Sequence, residues 1–208
     1  MIGGLYAITR ETDDTAQLLR EVSAALNGGA SVVQYRDKSG DAARQHEQAS
    51  ELLALCQHCR VPFIVNDSLR LADLIGADGV HLGRDDGAVR EARIILGAQR
   101  IIGVSCYQSL DLALVAQAAG ADYVAFGSFY PSTTKPAAAR AELALLQQAS
   151  RQIQLPIVAI GGITPDNAEA LIDAGADAIA VINALFDTPD IEAAARQFAE
   201  LFIAQTED

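Results

Sequence analysis

The chain lacks tryptophan and has only three cysteines among its 208 residues. Three thiols cannot all pair with one another, and Cys56 and Cys59 form a CxxC motif without a second cysteine pair to complete a zinc site. Both cysteines lie in an apolar helical stretch, residues 49–59. Because free cysteine in such a stretch is usually a core residue, we predict buried structural thiols there rather than redox chemistry.

Basic residues are scarce as well. The 15 lysines and arginines face 27 aspartates and glutamates, which gives a formal net charge of -12 and a pI of about 4.5. This charge disfavours nucleic acid and anionic membranes as partners, and an anionic substrate needs a local basic cluster. No apolar run approaches the roughly 18 residues of a membrane span, and residues 1–7 contain no basic segment of a signal peptide. We therefore expect a cytoplasmic protein.

The composition does supply enough apolar material for a core. Half of the residues are hydrophobic and 20% are charged, which is typical of a globular protein. A length of 208 residues suits one domain, residues 1–208, built either as a closed barrel of eight β/α units or as one open α/β sheet. Length and composition leave both architectures open.

A recurring Gly-Ala-Asp motif gives the internal organisation. It occurs at residues 76–78, 120–122 and 175–177, with Gly-Ala-Ser at 29–31 as a variant. Each copy ends an apolar helical stretch, with glycine as the helix C-cap, and opens a strand. Further apolar runs follow polar helical segments, so strands alternate with helices. The predicted strands lie near residues 4–9, 31–37, 62–67, 79–83, 101–106, 123–129, 156–162 and 178–184.

This alternation decides between the two architectures. Strands separated by helices run parallel, because each crossover returns the chain to the same end of the sheet. Eight near-equal units are better closed than left with exposed edges, so we predict a single TIM-type (β/α)8 barrel of the α/β class, with a doubly wound open sheet as the alternative. In such a barrel the carboxyl ends of the strands and the loops after them form the site.

Polar residues alternate along the second predicted strand. Gln34, Arg36 and Lys38 are spaced by two, which places them on one face of a pleated strand while Val33 and Tyr35 face the other way. A solvated edge strand also explains this pattern, but a closed barrel has no such edge. Two cations and an amide on one face favour a binding site for a diphosphate.

Carboxylates follow the next two strands. Asn66 and Asp67 end the third predicted strand, and Asp85 and Asp86 lie in the loop after the fourth. Mg²⁺ is typically held by one or two carboxylates, waters and the oxygens of a substrate phosphate chain, and this arrangement suits it. Each acidic pair alone is a weak signal, since aspartate in such loops is often a turn or capping residue. Their convergence with the two cations of the second strand favours a metal.

Hydroxyls and glycines mark the remaining strand ends. Ser105 ends the fifth strand, and residues 131–136, Pro-Ser-Thr-Thr-Lys-Pro, follow the sixth with three hydroxyls and an ammonium group. This composition suits either a phosphate-binding loop or an ordinary polar turn. Two glycines, Gly161 and Gly162, end the seventh predicted strand. Together with Ile182 and Asn183, they predict the phosphate cup that many TIM barrels build after strands seven and eight.

The histidines give no comparable signal. His81 lies inside the fourth predicted strand between Val80 and Leu82. An isolated histidine there is more often a hydrogen-bonded core residue than a base or a ligand, so we expect no chemical role for it. His46 and His58 lie in predicted helices without metal-ligand spacing.

Together these motifs resemble the thiamine phosphate synthase family over nearly the whole chain. The resemblance rests on Gly-Leu-Tyr-Ala-Ile-Thr at 4–9, Gln-Tyr-Arg-Asp-Lys at 34–38, Asn-Asp at 66–67, His-Leu-Gly at 81–83, Gly-Val-Ser at 103–105 and Gly-Gly-Ile at 161–163. It implies a magnesium-dependent transferase that condenses hydroxymethylpyrimidine diphosphate with hydroxyethylthiazole phosphate to thiamine monophosphate and pyrophosphate. Arg84, Ser132 and Asn183 depart from the glutamine, threonine and serine usual in the family, and each keeps a hydrogen-bond donor.

The resemblance also implies a role for each site residue. The implied Mg²⁺ ligands are Asp67 and Asp86. The implied contacts of the pyrimidine diphosphate are Gln34, Tyr35, Arg36, Asp37, Lys38, Asn66, Ser105 and Lys135. Of these, the implied catalytic residues are Arg36, Lys38, Ser105 and Lys135. The implied contacts of the thiazole phosphate are Ser132, Thr133, Thr134, Gly162, Ile182 and Asn183.

Two other functions share parts of this pattern. A related thiazole tautomerase has the barrel and the phosphate cup but needs no magnesium diphosphate site. It is disfavoured by the joint presence of Gln34, Arg36, Lys38, Asn66, Asp67 and Lys135. A non-catalytic sensor of thiamine phosphates keeps the cup without turnover, and an intact leaving-group site disfavours that as well. The expected partners are small-molecule substrates, without nucleic acid or membrane, and homo-oligomerisation is left open.

Overall fold

A computed structural model of the protein describes residues 2–83, 88–131 and 139–203. The strands are β1 (Gly4–Ile8), β2 (Ala30–Tyr35), β3 (Phe63–Asn66), β4 (Gly79–Leu82), β5 (Ile101–Tyr107), β6 (Tyr123–Gly127), β7 (Ile157–Ile160) and β8 (Ala178–Val181). The helices are α1 (Thr15–Asn27), α2 (Ala42–Cys59), α3 (Leu69–Ile75), α4 (Val89–Leu96), α5 (Leu110–Ala119), α6 (Leu143–Gln152), α7 (Pro165–Asp173), α8 (Asn183–Phe186) and α9 (Ile191–Ile203). Among these helices, none combines the length and the apolar character that crossing a bilayer requires.

Strands β1 to β8 form a closed parallel barrel in sequence order. The pairing of β1 with β8 closes it, with Gly4 opposite Ala178 and Ala7 opposite Val181. The predicted TIM-type barrel is therefore confirmed. The open doubly wound sheet is excluded, because neither β1 nor β8 is left as an edge.

The second strand ends earlier than the sequence predicts, at Tyr35. The backbone N–H of Arg36 donates to Thr9 Oγ1 at 2.9 Å, and that of Lys38 donates to Glu11 Oε2 at 3.0 Å. These side-chain acceptors replace the next bonds of the ladder, so the chain leaves the sheet after Tyr35. The prediction of one continuous strand face is therefore wrong for Arg36 and Lys38, which lie in the following loop.

The eighth strand also ends early, at Val181. The backbone N–H groups of Phe186 and Asp187 donate to the carbonyls of Ile182 and Asn183 at 2.9 and 2.8 Å, which closes the short helix α8. The prediction of a strand through residue 184 is corrected accordingly. Ile182 precedes α8, and Asn183 is its first residue.

Apolar side chains fill two separate layers. One lies between the strands and the helices and includes Leu52 and Phe198. The other lies inside the barrel and includes Ile64, Tyr6 and Tyr123. Because successive strand residues point to opposite faces, strands buried on both sides are apolar almost throughout. The two phenols are exceptions, since each carries a polar group into the interior.

The Gly-Ala-Asp repeat has a structural task at the amino end of the barrel. Asp78 accepts a hydrogen bond from the N–H of Phe63 at 2.9 Å, and Asp177 accepts one from the N–H of Ile157 at 2.7 Å. Asp78 directly precedes β4 and binds the first N–H group of β3. Asp177 directly precedes β8 and binds the first N–H group of β7. The leading Gly76 has φ +72° and ends α3 as the predicted C-cap. The repeat therefore ties neighbouring strands together in pairs.

The CxxC motif lies at the end of α2. Cys56 is buried, and burial raises the pKa of its thiol to about 12, as expected of a structural cysteine. Cys59 is the last residue of α2 and is exposed, so the prediction of two buried thiols is wrong for Cys59. The backbone turns there into the left-handed region at Arg60, with φ +59°, and the helix ends.

We expect Asp78→Ala to destabilise the barrel, because the buried N–H of Phe63 loses its acceptor. The free energy of unfolding should fall by about 1–2 kcal/mol, measured by urea denaturation. Asp78→Asn keeps an acceptor oxygen, so its free energy of unfolding should fall by less than that of Asp78→Ala. Glu51→Ala, at an exposed position of α2, should stay within about 0.5 kcal/mol of the parent. Equal stability of Asp78→Ala and the parent would contradict this role of the repeat.

Candidate active site

A cavity of about 610 Å³ opens where the strands end. Its volume and its position at the carboxyl end of the barrel are those of a small-molecule site in this fold. The lining residues are Tyr6, Ile8, Gln34, Arg36, Asn66, His81, Ser105, Tyr107, Gln108, Tyr123, Ala125, Gly127, Ser128, Pro131, Ala139, Val158, Ile160, Gly161, Gly162, Ile163, Thr164, Ala180, Val181, Ile182, Asn183 and Ala184.

The cavity collects many of the site residues that the sequence predicts. They come from five different strand ends and meet because closure puts all these ends on one rim. The predicted site residues that line the cavity are Gln34, Arg36, Asn66, Ser105, Gly162, Ile182 and Asn183.

Two of the predicted substrate contacts lie elsewhere. Tyr35 is buried on the outer face of β2, where its hydroxyl donates to Gln48 Oε1 of α2 at 2.9 Å. Asp37 has a side chain that is only 1% exposed and accepts a bond from Arg44 Nε at 3.3 Å. Neither side chain lines the cavity. Period-two alternation turns the Tyr35 side chain toward the helices, and Arg44 holds that of Asp37 against α2. Substrate contact by these two residues stays a prediction.

Lys38 and Asp67 form an ion pair at the rim. The Lys38 side chain is 53% exposed and that of Asp67 22%, and neither lines the cavity itself. Asp67 has φ +63°, and its backbone N–H donates to the carbonyl of His81 at 2.8 Å. Asp67 directly follows Asn66 in the sequence, and Asn66 does line the cavity. The predicted cation and the predicted metal ligand are thus neighbours beside the cavity mouth.

Several predicted site residues lie outside the described residues: Arg84, Asp86, Ser132, Thr133, Thr134 and Lys135. The flanks of residues 132–138 are described, and both Pro131 and Ala139 line the cavity. Gln108 Nε2 donates to the carbonyls of Gly127 and Ala139 at 2.7 Å each. The chain therefore enters and leaves this segment at the cavity wall.

The glycine pair after β7 forms a backbone surface on one side of the cavity. Gly161 has φ +108° and Gly162 φ +66°, both in the left-handed region. A Cβ atom on Gly162 would lie 2.2 Å from the carbonyl oxygen of Pro131, so only glycine fits there. Thr164 is the N-cap of α7 and Pro165 its first residue, and the Thr164 N–H donates to Asn167 Oδ1 at 2.9 Å.

A continuous chain of hydrogen bonds crosses the floor of the cavity. Gln34 Nε2 donates to the Tyr6 hydroxyl at 2.9 Å, and the hydroxyls of Tyr6 and Tyr123 lie 2.7 Å apart. The Tyr123 hydroxyl lies 2.8 Å from His81 Nδ1, and His81 Nε2 lies 2.8 Å from Ser105 Oγ. We call these five residues the polar chain. Burial raises the pKa of both phenols well above the ordinary value, so both remain protonated.

Sequence reasoning missed the middle of this chain. No sequence pattern points to Tyr6 or Tyr123 as a site residue, and the position of His81 predicts a hydrogen-bonded core residue without a chemical role. The hydrogen bonding is confirmed, but His81 also lines the cavity and holds Ser105. The available signal was that the motif containing Tyr6 and the motif containing His81 each place one polar group on an otherwise apolar strand.

The chain matches a family model described as thiamine monophosphate synthase over residues 5–185. It is 69% identical to the thiamine-phosphate synthase of Thiobacillus denitrificans over 206 residues, which cover 99% of this chain and 98% of the relative. The thiamine-phosphate synthase of Methylobacillus flagellatus is 54% identical, with 97% of this chain and 96% of the relative covered.

Two solved structures are similar to this chain over nearly its whole length. A thiamine phosphate pyrophosphorylase from Pyrococcus furiosus superposes with a TM-score of 0.87 at 33% identity and covers 97% of this chain and 96% of its own. A structure described as native KDPGal superposes with a TM-score of 0.76 at 16% identity, covering 98% of this chain and 96% of its own, which is a likeness of fold alone.

Proposed function

The chain belongs to the thiamine monophosphate synthase family, and we propose that the cavity at its barrel rim is where the reaction of that family takes place. The protein is a transferase of thiamine biosynthesis, which condenses hydroxymethylpyrimidine diphosphate with hydroxyethylthiazole phosphate. The bond between the pyrimidine methylene carbon and the diphosphate oxygen breaks. The thiazole nitrogen forms a new bond to that carbon, and pyrophosphate leaves.

The observation that carries the proposal is that two groups of residues, each suited in a different way to binding an anion, face one cavity. On one side Arg36 lines the cavity, with Lys38 at the adjacent rim. On the other side lie the left-handed backbone of Gly161 and Gly162 and the residue Asn183, whose Nδ2 donates to Asp187 Oδ2 at 2.7 Å. A reaction between a diphosphate and a monophosphate needs two such sites around a space for two rings, and 610 Å³ provides that space.

We assign the diphosphate to the side of the charged residues. Arg36 can bind phosphate oxygens in a bidentate manner, and Lys38 adds an ammonium group. Ser105 Oγ lines the same cavity and adds a hydroxyl, while Gln34 and Asn66 offer amides to the diphosphate and the pyrimidine. Lys135 belongs to the same proposed set, although it lies outside the described residues.

The residues at the rim fit Mg²⁺. In the described part of the chain, no group of three or more His, Cys, Asp or Glu side chains could hold a metal ion. Mg²⁺ does not need such a group, since it usually combines one or two carboxylates with waters and substrate phosphate oxygens. Asp67 offers one partly exposed carboxylate beside Asn66, and Asp86 is the proposed second. When bound, Mg²⁺ would neutralise part of the diphosphate charge.

We assign the thiazole phosphate to the glycine side. Gly162 offers a backbone surface that no larger residue could form, and Ile182 and Asn183 lie at the start of α8 in the same wall. Backbone N–H groups and helix starts favour phosphate, because their partial positive charge points outward. The hydroxyls of residues 132–134 are the proposed remaining donors.

Catalysis then consists of positioning and of stabilising the leaving group. No protein nucleophile is required, since the electron-rich aminopyrimidine supports the developing methylene cation and the thiazole nitrogen captures it. Arg36, Lys38, Ser105 and Lys135 are the proposed catalytic residues, because each would bind the negative charge that grows on the departing diphosphate. Holding both substrates in one cavity replaces a bimolecular encounter by an oriented one.

The decisive experiment supplies both substrates and Mg²⁺ and follows the two products. Thiamine phosphate and pyrophosphate should form in equal amounts, and removal of divalent metal with a chelator should stop the reaction. Chromatography measures the first product and a coupled phosphate assay the second. Absence of product at saturating Mg²⁺ would overturn the proposed function.

Asp67→Asn should raise the Mg²⁺ concentration needed for half-maximal turnover by roughly tenfold or more, because a carboxylate ligand becomes a neutral amide. Asparagine tolerates the left-handed backbone at this position, so the fold should be retained. Asp86→Asn should act in the same direction. Asp13→Asn changes an exposed carboxylate in the loop after β1 and serves as the control. If Asp67→Asn and Asp86→Asn both reach half-maximal turnover at the same Mg²⁺ concentration as the parent, the metal is bound elsewhere.

Gly162→Ala should raise the KM for thiazole phosphate much more than the KM for pyrimidine diphosphate. Its methyl group would press on the Pro131 carbonyl and distort the proposed phosphate cup. Gly97→Ala is the matched control, since Gly97 also has a positive φ, +77°, but a Cβ there meets nothing within 4 Å. Steady-state kinetics with each substrate varied in turn gives both constants. A larger effect on the pyrimidine diphosphate would reverse the assignment of the two sides.

A further inference from the structure

The polar chain contains three residues without a role in the reaction as assigned so far. Its ends, Gln34 and Ser105, are proposed substrate contacts, whereas Tyr6, Tyr123 and His81 connect them. We propose that His81 is a positioning residue, held as the neutral Nε2–H tautomer, which makes the Ser105 hydroxyl a hydrogen-bond donor to the diphosphate. This inference rests on the proposed function for the identity of the acceptor.

The direction of the hydrogen bonds follows from counting hydrogens. The Tyr6 oxygen accepts from Gln34 Nε2, so its one hydrogen is available for the Tyr123 oxygen. The Tyr123 hydrogen then goes to His81 Nδ1, which must be unprotonated to accept it. The hydrogen of a neutral imidazole therefore lies on Nε2 and points to Ser105 Oγ.

The opposite direction leaves a buried donor without an acceptor. If Tyr123 donated to Tyr6, the Tyr6 oxygen would receive two hydrogens and its own hydrogen would have no acceptor in the chain. Although both tyrosines line the cavity, Tyr6 is only 1% exposed and Tyr123 0%, so solvent has almost no access to the hydroxyl that would be left without an acceptor. Gln34, itself 4% exposed, thus sets the direction of the whole chain through the hydrogen that it gives to Tyr6.

The surrounding residues keep the chain in place. A Cβ atom at Gly103 of β5 would lie 1.9 Å from Tyr123 Cζ, so the phenol occupies space that only glycine leaves open. The rings of His81 and Tyr123 are stacked, with centroids 5.5 Å apart and an interplanar angle of 27°. The Tyr123 hydroxyl is thereby held at His81 Nδ1.

The consequence reaches the cavity through Ser105. When Ser105 Oγ accepts from His81, its own hydrogen can turn toward the cavity and donate to a diphosphate oxygen. In the reverse direction that hydrogen would go to His81, and only lone pairs would face the substrate. Lone pairs repel the growing negative charge of a leaving group, whereas a hydroxyl fixed as a donor stabilises it.

Nitrogen-15 NMR of histidine-labelled protein tests the tautomer directly. The parent should show His81 with an unprotonated Nδ1 and a protonated Nε2, and the exposed His46 and His58 of α2 serve as internal references. This spectrum needs no substrate, so it stands or falls separately from the proposed reaction. A His81 that carries its hydrogen on Nδ1, or on both nitrogens near neutral pH, would overturn the proposal.

Two tyrosine variants test the origin of the tautomer. Tyr123→Phe removes the donor to Nδ1, and a mixture of both tautomers should appear at His81. Tyr35→Phe removes another buried phenol hydroxyl, on the outer face of β2, and should leave the His81 signals unchanged. An unaltered His81 spectrum in Tyr123→Phe would show that the chain does not set the tautomer, and the proposal would fail.

Two histidine variants test the consequence for catalysis. His81→Gln can place an amide N–H near the position of Nε2–H, whereas His81→Asn is too short to reach Ser105. We expect kcat to fall about 10- to 100-fold in His81→Asn, the range typical when a group that orients a direct contact is lost. His81→Gln should retain more of the parent kcat, and KM should change less than kcat in both. Equal losses in the two variants, or none, would contradict a positioning role for His81.

Discussion

The pairing of β1 with β8 is the constraint on which the rest of the structure depends. It joins residues 4–7 to residues 178–181 and leaves the sheet without an open edge. Closure brings the carboxyl ends of all the strands to one rim, so that Gln34 and Asn183 line the same cavity although most of the chain separates them. The carboxylates of Asp78 and Asp177 tie strands together at the opposite end. Strand fastening and the proposed chemistry therefore occupy different ends of the barrel.

An acidic protein with anionic substrates must bring a few cations to one place. The net charge of -12 is unfavourable at long range, but salt screens such a field beyond about 8–10 Å, whereas groups in the cavity act at hydrogen-bond distance. Arg36 lies in the cavity wall, and Lys38 is kept beside it by Asp67. In the proposed phosphate cup, the backbone N–H groups of Gly161 and Gly162 add partial positive charge without a side chain. Local contacts can thus outweigh the global repulsion.

The sequence predicts the barrel because each strand and each Gly-Ala-Asp mark is a local signal, and period-two reasoning finds Gln34. The errors arise where a distant residue decides. Thr9 and Glu11 capture the backbone after Tyr35, which takes Arg36 and Lys38 out of the strand, and the cross-barrel contacts of Tyr6 and His81 have no counterpart in local spacing. The direct substrate roles of the site residues, and the metal, stay predictions.

The polar chain at the floor of the cavity carries no charged group, yet its hydrogen bonds all run in one direction. Charged groups there would each need a counterion and would lose their hydration, which costs several kcal/mol per ion. The polar chain avoids this cost, because the buried phenols stay protonated and each hydroxyl satisfies the next. A purely apolar floor would receive a ring equally well but would orient nothing. In a reaction without a protein nucleophile, stabilisation depends on donors that point the right way before charge develops. The side chains that fill the barrel therefore also set the direction of a hydrogen bond at its rim.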